Sequence, residues 1–145
     1  MMSHRCAFAD VVIELPAGWV DVSHDMPEGA PPTLVRTDGV GALQFSVARF
    51  KSGANPNVDA DALGVLLKEF ASTRSLGVPS DVEQGESISR YIGGTFMRND
   101  DLTRVWYASN GSDLALVTYV AEAGNPACIA ELADAALIVK SIDFD

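Results

Sequence analysis

Residues 102–121 read LTRVWYASNGSDLALVTYVA, and this stretch decides the fold class. Two β-rich arms, Leu102 to Ser109 and Asp113 to Ala121, flank Asn110-Gly111, a dipeptide typical of a tight hairpin turn. In the second arm, apolar residues occupy both alternating sets of positions. A strand that is apolar on both faces is expected to lie centrally in a sheet and to be covered on both sides. The stretch therefore predicts a hairpin at the centre of a layered domain.

Further strands are predicted on both sides of this hairpin. The clearest is Ala42 to Phe50, in which Leu43, Phe45 and Val47 alternate with polar or small residues. A tight turn is predicted at Asp38-Gly39, in front of this strand. The other extended segments are Phe8 to Leu15, Trp19-Val20, Thr33 to Thr37, Glu86 to Ile92 and Thr95 to Arg98, the last two flanking Gly93-Gly94.

Two amphipathic helices complete the prediction. The first runs from Asp59, a plausible N-cap, to Ser75, and the second starts at Asn125-Pro126. Both carry apolar residues at helical spacing, which predicts one buried stripe per helix. The first stripe is Leu63, Leu66, Leu67, Phe70 and Ala71, and the second is Ile129, Leu132, Ala133, Ala136 and Leu137.

These elements predict one α+β domain over residues 1–145, a layered sandwich of a mostly antiparallel sheet and two main helices. The pattern leaves the order of the strands in the sheet open. The tail Ser141-Ile142-Asp143-Phe144 alternates, and it is expected to return to a sheet edge or to pack as an extended end.

The charge of the chain is strongly acidic, with 20 Asp and Glu against 10 Lys and Arg and a formal net charge of -10. Such a surface repels phosphates and anionic lipids, so we expect neither nucleic acid nor membrane as a partner. A basic protein partner remains open, since the field would steer its approach. The alternative is that the acidity only keeps the protein in solution.

Two cysteines and the first residues bear on the compartment. Cys6 and Cys128 are too few for a disulfide framework, and whether they pair is left open. The N-terminal region has no apolar run of signal-peptide length, and no stretch approaches the length of a membrane span. We therefore expect a cytoplasmic protein.

A family resemblance rests on three features of the sequence. An opening strand ends in Leu15-Pro16-Ala17-Gly18-Trp19, the middle is rich in strands, and a terminal helix runs into residues 138–144, IVKSIDF. In element order this resembles the Mog/PsbP/DcrB-like superfamily of small α/β/α sandwiches.

The resemblance implies a binding module, because members act mainly in that way. They include a Ran-GTPase partner, an accessory protein of photosystem II, bacterial lipoproteins and chaperones for type VI secretion effectors. The start of those chaperones is similar to residues 18–23, GWVDVS, whereas the rest of this chain departs from their pattern. No functional residue of the superfamily can be placed on this sequence.

No motif for catalysis, metal binding or a cofactor occurs in the sequence. Ser23, His24 and Asp25 are adjacent in sequence, but a catalytic triad requires convergence in space, and His4 lies close to the N-terminus. Asp100 and Asp101 could offer oxygens to calcium, yet no EF-hand loop surrounds them, and a turn at 99–101 explains them better. The glycine pairs match no phosphate-binding loop. We expect no catalytic residue, no metal ligand and no cofactor.

These absences, with the acidity, favour a non-enzymatic protein-binding module: an adaptor, a secretion-effector chaperone or an immunity protein that caps a basic toxin. Its predicted surface comprises Asp21, Asp25, Glu28, Asp100, Asp101 and Trp106. For the aromatic residues, the alternative is that all of them pack internally. Two other functions stay open: a small-molecule-binding domain with a pocket between sheet and helix, and an unrecognised hydrolase. A monomer and a homodimer are both compatible with the sequence.

Overall fold

The computed structural model describes residues 3–51, 53 and 56–144, which form nine strands and two helices. The strands are β1 (Ser3–Phe8), β2 (Val11–Pro16), β3 (Trp19–Asp21), β4 (Thr33–Arg36), β5 (Ala42–Ala48), β6 (Ser80–Glu86), β7 (Arg90–Arg98), β8 (Asp101–Ser109) and β9 (Leu114–Glu122). The helices are α1 (Ala60–Thr73) and α2 (Ala127–Lys140), and a single 3-10 turn covers Ser23–Asp25. Among these residues, no helix combines the length and apolar composition needed to cross a membrane.

Seven of the described strands form one antiparallel sheet in the order β3-β4-β5-β9-β8-β7-β6. The remaining two, β1 and β2, form a separate hairpin. A four-residue loop, 110–113, contains Asn110-Gly111 and joins β8 to β9, so Asp113, predicted as the start of the second arm, lies in the loop. Strand β9 lies at the centre of the sheet between β5 and β8. The α+β class and the central hairpin predicted from the sequence are confirmed.

The two faces of the sheet are covered differently. On one face, α2 and the β1–β2 hairpin enclose the larger core, in which Ile13, Phe45 and Ile138 are buried. On the other face, α1 packs chiefly on β7 and β8 through residues such as Leu67 and Phe70. Because α1 covers only these strands, part of the second face over β5 and β9 stays open to solvent. This open part positions the candidate site described below.

The segment predicted as one strand from Phe8 to Leu15 is instead the turn and the second arm of a hairpin. Ala9 and Asp10 have φ of 54° and 70°, and this left-handed backbone reverses the chain between β1 and β2. Such turns prefer Asn-Gly or Asp-Gly, so Ala-Asp gave no recognisable turn pattern. His4, expected close to the chain terminus, lies in β1 opposite Leu15.

The Gly93-Gly94 pair, predicted to separate two strands, lies inside the continuous strand β7. A Cβ at Gly93 would lie 2.6 Å from Cδ1 of Trp106, and one at Gly94 would lie 2.9 Å from Cβ of Pro79. The two glycines therefore let large side chains pack directly against the strand. The predicted strand from Glu86 to Ile92 is wrong as well, because it crosses the turn between β6 and β7.

Helix α1 agrees closely with its prediction. The carboxylate of Asp59 accepts a hydrogen bond of 2.9 Å from the backbone N–H of Ala62, which makes Asp59 the N-cap. The predicted stripe faces the sheet, with four of its five residues buried and Leu66 packed against the same core.

Helix α2 is placed correctly along the chain, but its buried face is wrong. The residues that it buries are Cys128, Glu131, Asp134, Ala135, Ile138 and Val139. Three residues of the predicted stripe face outward: Ala133, Ile129 (76% exposed) and Leu137 (56% exposed). The other two, Leu132 and Ala136, are partly buried and pack against the edge of the core. The apolar spacing predicted the wrong buried face because two acidic residues, Glu131 and Asp134, lie on the face that packs against the core.

Both buried acids are bound by hydrogen bonds. The Glu131 carboxylate accepts from the backbone N–H groups of Val40 (2.9 Å) and Gly41 (3.0 Å) and from the Tyr119 hydroxyl (3.0 Å). The Asp134 carboxylate accepts from the indole N–H of Trp19 at 2.9 Å. These bonds hold α2 against the β4–β5 turn and the start of β3, which compensates for burying the two carboxylates.

Candidate functional site

The open part of the sheet forms the floor of a trough with a volume of about 650 Å³. Side chains at alternate positions of β5, β9 and β8 point into it, because successive residues of a strand face opposite sides. Three of them are the hydroxyl residues Ser46, Thr103 and Thr118, whose side chains make no hydrogen bond to another described residue. The floor also contains Gln44, Leu116 and Val120. It therefore offers free hydroxyl groups beside apolar surface.

Three segments build the walls of the trough. The end of α1 and the turn after it contribute Phe70, Arg74 and Leu76, and the β3–β4 loop contributes Pro31 on the opposite side. The β7–β8 turn closes one end with Arg98, Asn99 and Asp101. A pocket between a sheet and a helix was one of the alternatives left open by the sequence.

Two arginines stand together at one wall. The Arg98 guanidinium donates a hydrogen bond of 3.3 Å to the backbone carbonyl of Arg74, and the Arg74 guanidinium lies 3.8 Å from the centre of the Phe70 ring. Neither forms an ion pair with a carboxylate in the described part of the chain, although Asp101 is the cross-strand neighbour of Arg98. Both guanidinium groups are therefore available to an anion.

The rest of this wall is anchored in the core. Phe70 packs edge-on against Tyr107, with ring centroids 6.5 Å apart. Burial raises the pKa of the Tyr107 phenol, while Arg74 lowers it and Glu69 raises it. The phenol therefore stays neutral at physiological pH. Because Tyr107 holds the Phe70 ring in place, this ring gives the Arg74 guanidinium a fixed surface to pack on.

The acidic residues predicted to bind a partner fall into two separate groups. Asp21 ends the edge strand β3, and Asp25 and Glu28 follow in the exposed β3–β4 loop. Asp100 and Asp101 lie at the β7–β8 turn. Since β4, β5 and β9 separate β3 from β8, four strand spacings put the groups about 19 Å apart across the sheet. They do not form one continuous acidic patch.

Trp106, the predicted aromatic anchor, is only 2% exposed. It packs in the larger core, and the Arg104 guanidinium lies 5.5 Å from its ring. A side chain enclosed in this way has no surface to offer a partner. The prediction for Trp106 is therefore wrong, and the alternative of internal packing fits this residue.

The sequence neighbours Ser23, His24 and Asp25 do not form a catalytic arrangement. The Ser23 hydroxyl donates to the Asp21 carboxylate at 2.5 Å and accepts from the backbone N–H of Thr33 at 2.9 Å. The His24 side chain is 78% exposed and lies 3.6 Å from the Asp25 carboxylate. The Ser23 hydroxyl therefore stabilises the β3–β4 loop through these two hydrogen bonds, and the His24 side chain lies at the surface.

The described residues include two free cysteines, and they contain no cluster that could hold a metal ion. Cys6 is half-buried and Cys128 is buried, and both are free thiols. Burial, followed by the charges of Asp21 and Glu14, raises the pKa of the Cys6 thiol, which reduces its reactivity. Among residues 3–51, 53 and 56–144, no group of three or more His, Cys, Asp or Glu is placed to hold a metal ion.

A second groove, of about 840 Å³, lies between α1 and the edge strand β6. Exposed valines at positions 65, 78 and 82 line it, and its surface is mainly apolar. Its lining contains one basic residue, Lys68, and one acidic residue, Asp61, whereas the trough is lined by two arginines. Binding sites combine apolar surface with a few convergent polar groups, so the trough is the stronger candidate.

The two arginines of the trough were not found from the sequence. Arg74 follows a helix and Arg98 precedes a turn, and neither position has a motif. The sequence gives one indication only, the positive charge of the two side chains in a chain with a net charge of -10. Their proximity depends on how α1 packs on β7, which a local pattern does not contain.

Comparison with known proteins gives structural but no sequence relatives. No protein-family model matches the chain, and no curated protein matches it in sequence. Among solved structures, a protein from Bacteroides thetaiotaomicron is 13% identical with a TM-score of 0.62; the match covers 99% of this chain and 48% of that one. This chain thus spans about half the length of that protein.

Two further structures cover most of both chains. Cyanobacterial PsbP (CyanoP) from Synechocystis is 12% identical with a TM-score of 0.58, and the match covers 97% of this chain and 91% of that one. LpqN of Mycobacterium tuberculosis, involved in cell envelope biogenesis, is 15% identical with a TM-score of 0.52, covering 91% and 81%. At these identities the likeness concerns the fold alone, and it confirms the resemblance stated from the sequence: the chain has a PsbP-like α+β fold.

Proposed function

We propose that this domain binds a small organic anion in the trough without transforming it. The observation that carries the proposal is the pair Arg74 and Arg98, adjacent and without an ion pair among the described residues, on a chain with a net charge of -10. Five of the ten basic residues have carboxylate partners: Arg5, Arg36, Arg49, Arg90 and Lys140. Of the basic residues without such a partner in the described part of the chain, Arg74 and Arg98 are the two that line the trough.

The chemistry of arginine indicates which group the ligand presents. A guanidinium binds a carboxylate or phosphate through two parallel hydrogen bonds, and these charge-assisted bonds are stronger than neutral ones. The hydroxyls of Thr103 and Thr118 would bind polar atoms nearby, while Leu116 and Val120 would contact an apolar part. The volume of about 650 Å³ lies within the range of small-molecule sites. The best fit is an organic acid that combines one anionic end with an apolar body.

An NMR titration with defined probes tests this proposal. Octanoate, benzoate, citrate and inorganic phosphate are added to ¹⁵N-labelled protein, with octanamide and benzamide as neutral counterparts. We expect shifts centred on Thr103, Thr118 and Arg98, and binding by the acids that exceeds binding by the amides. Spectra of the ligand after prolonged incubation should be unchanged, since no chemistry is proposed.

Matched variants locate the binding. The double variant R74Q/R98Q should weaken the best probe at least about tenfold, or ~1.4 kcal/mol. K68Q is the control, because Lys68 is an exposed basic residue on α1 that lines the other groove. Equal binding of acids and amides, or equal losses in both variants, would refute the proposal.

A basic protein partner is a second candidate, favoured by the exposed carboxylates of Asp25 and Glu28 in the β3–β4 loop. On this proposal the domain is an adaptor, a secretion-effector chaperone or an immunity protein, and it works in the cytoplasm. Affinity purification with wild-type protein and the variant D25N/E28Q is the test. Recovery of the same proteins by both baits would contradict a role for this loop.

A further inference from the structure

A small pocket lies beside α2, on the face of the sheet opposite to the trough. Its volume is about 340 Å³, and residues of β6, β7 and β8 line it together with Ala133 and Ala136 of α2. Arg104 lines this pocket, whereas its neighbour in β8, Thr103, lines the trough, because successive residues of a strand face opposite sides. We call this cavity the β6–α2 pocket, and none of its described lining residues lines the trough.

The indole N–H of Trp106 is an unpaired donor in the β6–α2 pocket. Every fully buried side-chain nitrogen or oxygen in the described part of the chain has a hydrogen-bond partner. The Trp106 N–H donates to no described residue, so its nitrogen is not fully buried, although the side chain as a whole is only 2% exposed. Since Trp106 lines the β6–α2 pocket, its N–H reaches the surface there. The enclosed ring offers no face to a protein, but a small polar group can reach this donor, which a buried indole normally pairs.

The Arg104 guanidinium, which is 9% exposed, lies beside the same pocket. Its Nη1 donates to the backbone carbonyl of Asp81 at 2.7 Å and to the Thr95 hydroxyl at 2.9 Å. Its Nε and Nη2 donate to no described residue, and no described carboxylate lies within ion-pair distance. Burial lowers the pKa of the guanidinium, and the charges of Glu83 and Asp81 oppose this shift only in part. The protein therefore compensates this buried cation incompletely.

Gly93 brings the two donors together. A Cβ on this residue would lie 2.8 Å from Nε1 of Trp106 and 3.1 Å from Nη2 of Arg104, so both nitrogens lie over the same residue of β7. The absence of a side chain at this position makes room for them. Two N–H groups that converge in this way suit a carboxylate, whose two oxygens each accept a hydrogen bond, and a guanidinium strengthens the contact by its charge.

Two acidic residues of β6 also line the β6–α2 pocket. Asp81 lies in the bulge between Ser80 and Glu83 with a φ of 50°, and bulges redirect the side chains of a strand. Its carboxylate forms no ion pair with a described residue, whereas that of Glu83 lies 3.7 Å from the ammonium group of Lys140. A simple anion would be repelled by the Asp81 carboxylate, and a simple amine by the Arg104 guanidinium. A ligand that carries both charges satisfies both residues.

We propose that the β6–α2 pocket binds a free amino acid with a short apolar side chain. Arg104 and Trp106 hold its carboxylate, Asp81 attracts its ammonium group, and Ala133 and Ala136 contact its side chain. A volume of about 340 Å³ lies at the low end of small-molecule sites, which fits a ligand of this size. The inference is independent of the anion proposed for the trough, because the two sites use different residues on opposite faces of the sheet.

The indole signals in NMR spectra of ¹⁵N-labelled protein test this site directly. Glycine, L-alanine and L-valine are added separately, each up to about 10 mM. We expect the Trp106 indole signal to move as its N–H gains an acceptor, most strongly with L-valine. The Trp19 indole is the internal control, because it already donates to Asp134 at 2.9 Å, and its signal should stay in place.

Two analogues of valine separate the charges of the ligand. L-Valinamide lacks the carboxylate and N-acetyl-L-valine lacks the ammonium group, so each should bind at least about tenfold more weakly than L-valine. If either analogue binds as tightly as L-valine, the pocket does not recognise a zwitterion and the proposal is overturned.

The variant D81N tests the contact with the ammonium group. Asparagine has the shape of aspartate and also tolerates left-handed backbone, so the fold should be kept and only the charge is lost. D81N should weaken L-valine at least about fivefold and leave N-acetyl-L-valine unchanged. D61N is the control, because Asp61 is an exposed acid of α1 that lines the other groove, and it should bind as wild type does. Circular dichroism checks that both variants are folded.

Three further results would overturn the proposal. In the first, none of the three amino acids moves the Trp106 indole signal. In the second, the shifts are confined to Thr103 and Thr118, which would place the ligand in the trough. In the third, D81N and D61N bind L-valine equally well, which would mean that the Asp81 carboxylate does not contact the ammonium group.

Discussion

The substitution of Glu131 tests whether the buried carboxylate holds α2 in place. Replacement by alanine removes the acceptor of three hydrogen bonds, from the N–H groups of Val40 and Gly41 and from the Tyr119 hydroxyl. A hydrogen bond to a charged group contributes about 1.5–3 kcal/mol, and a buried donor left unpaired costs about 1–3 kcal/mol. Water can reach the two backbone N–H groups in part, so we expect E131A to lower the free energy of unfolding by about 3 kcal/mol.

Urea denaturation followed by circular dichroism measures this loss. With a slope of about 2 kcal/mol per molar urea, the midpoint should fall by about 1.5 M. E131Q separates hydrogen bonding from volume: an amide of the same size puts an NH₂ group against a backbone donor, and the expected loss is about 1–2 kcal/mol.

The control is E69A, the same change at an exposed position of α1, which should stay within about 0.5 kcal/mol of wild type. If E131A and E69A unfold at the same urea concentration, the buried carboxylate does not anchor the helix. If E131Q equals wild type while E131A does not, the loss comes from the cavity alone.

Three further predictions concern single positions. G41A should destabilise by about 1–3 kcal/mol in urea, because its Cβ would lie 2.5 Å from the buried ring of Tyr119. G64A should raise the free energy of unfolding by up to about 1 kcal/mol in thermal melts, since a Cβ there meets no atom and alanine favours the helix. Burial alone would raise the pKa of Asp113, but hydrogen bonds, among them that from Arg49, hold the pKa below its usual value. The stabilisation is therefore complete above the usual carboxyl pKa and is lost as the pH falls through the lower folded pKa, so D113N should destabilise at pH 7 and flatten the acid loss below about pH 4.

The parts of the fold that were predicted correctly are those specified by local patterns. A loop of residues 110–113 joins the two strands, Gly111 within it has a φ of 106°, and the flanking strands pair as expected. The α1 stripe and its Asp59 cap are likewise local. In both cases neighbouring residues provide the turn, the cap or the apolar face.

The errors occur where distant residues decide the structure. Strand β6 was missed because six of its seven residues are exposed at a sheet edge, so no apolar alternation marks it. The sequence predicts a pocket between sheet and helix only as one alternative and names no residue that lines it. Arg74 and Arg98 are 24 residues apart and meet only through the packing of α1. The inner face of α2 is set by donors on β9 and the β4–β5 turn, which the helix sequence does not contain.

Burial of the two acids in α2 has a consequence for the surface. It leaves Ile129 76% and Leu137 56% exposed, so each forgoes part of the roughly 1.5–3 kcal/mol that full burial of such a side chain contributes. The hydrogen bonds to Glu131 and Asp134 offset this loss, because their donors lie on the face of α2 that packs against the core. The orientation of α2 therefore depends on donors on other elements more than on the apolar content of the helix.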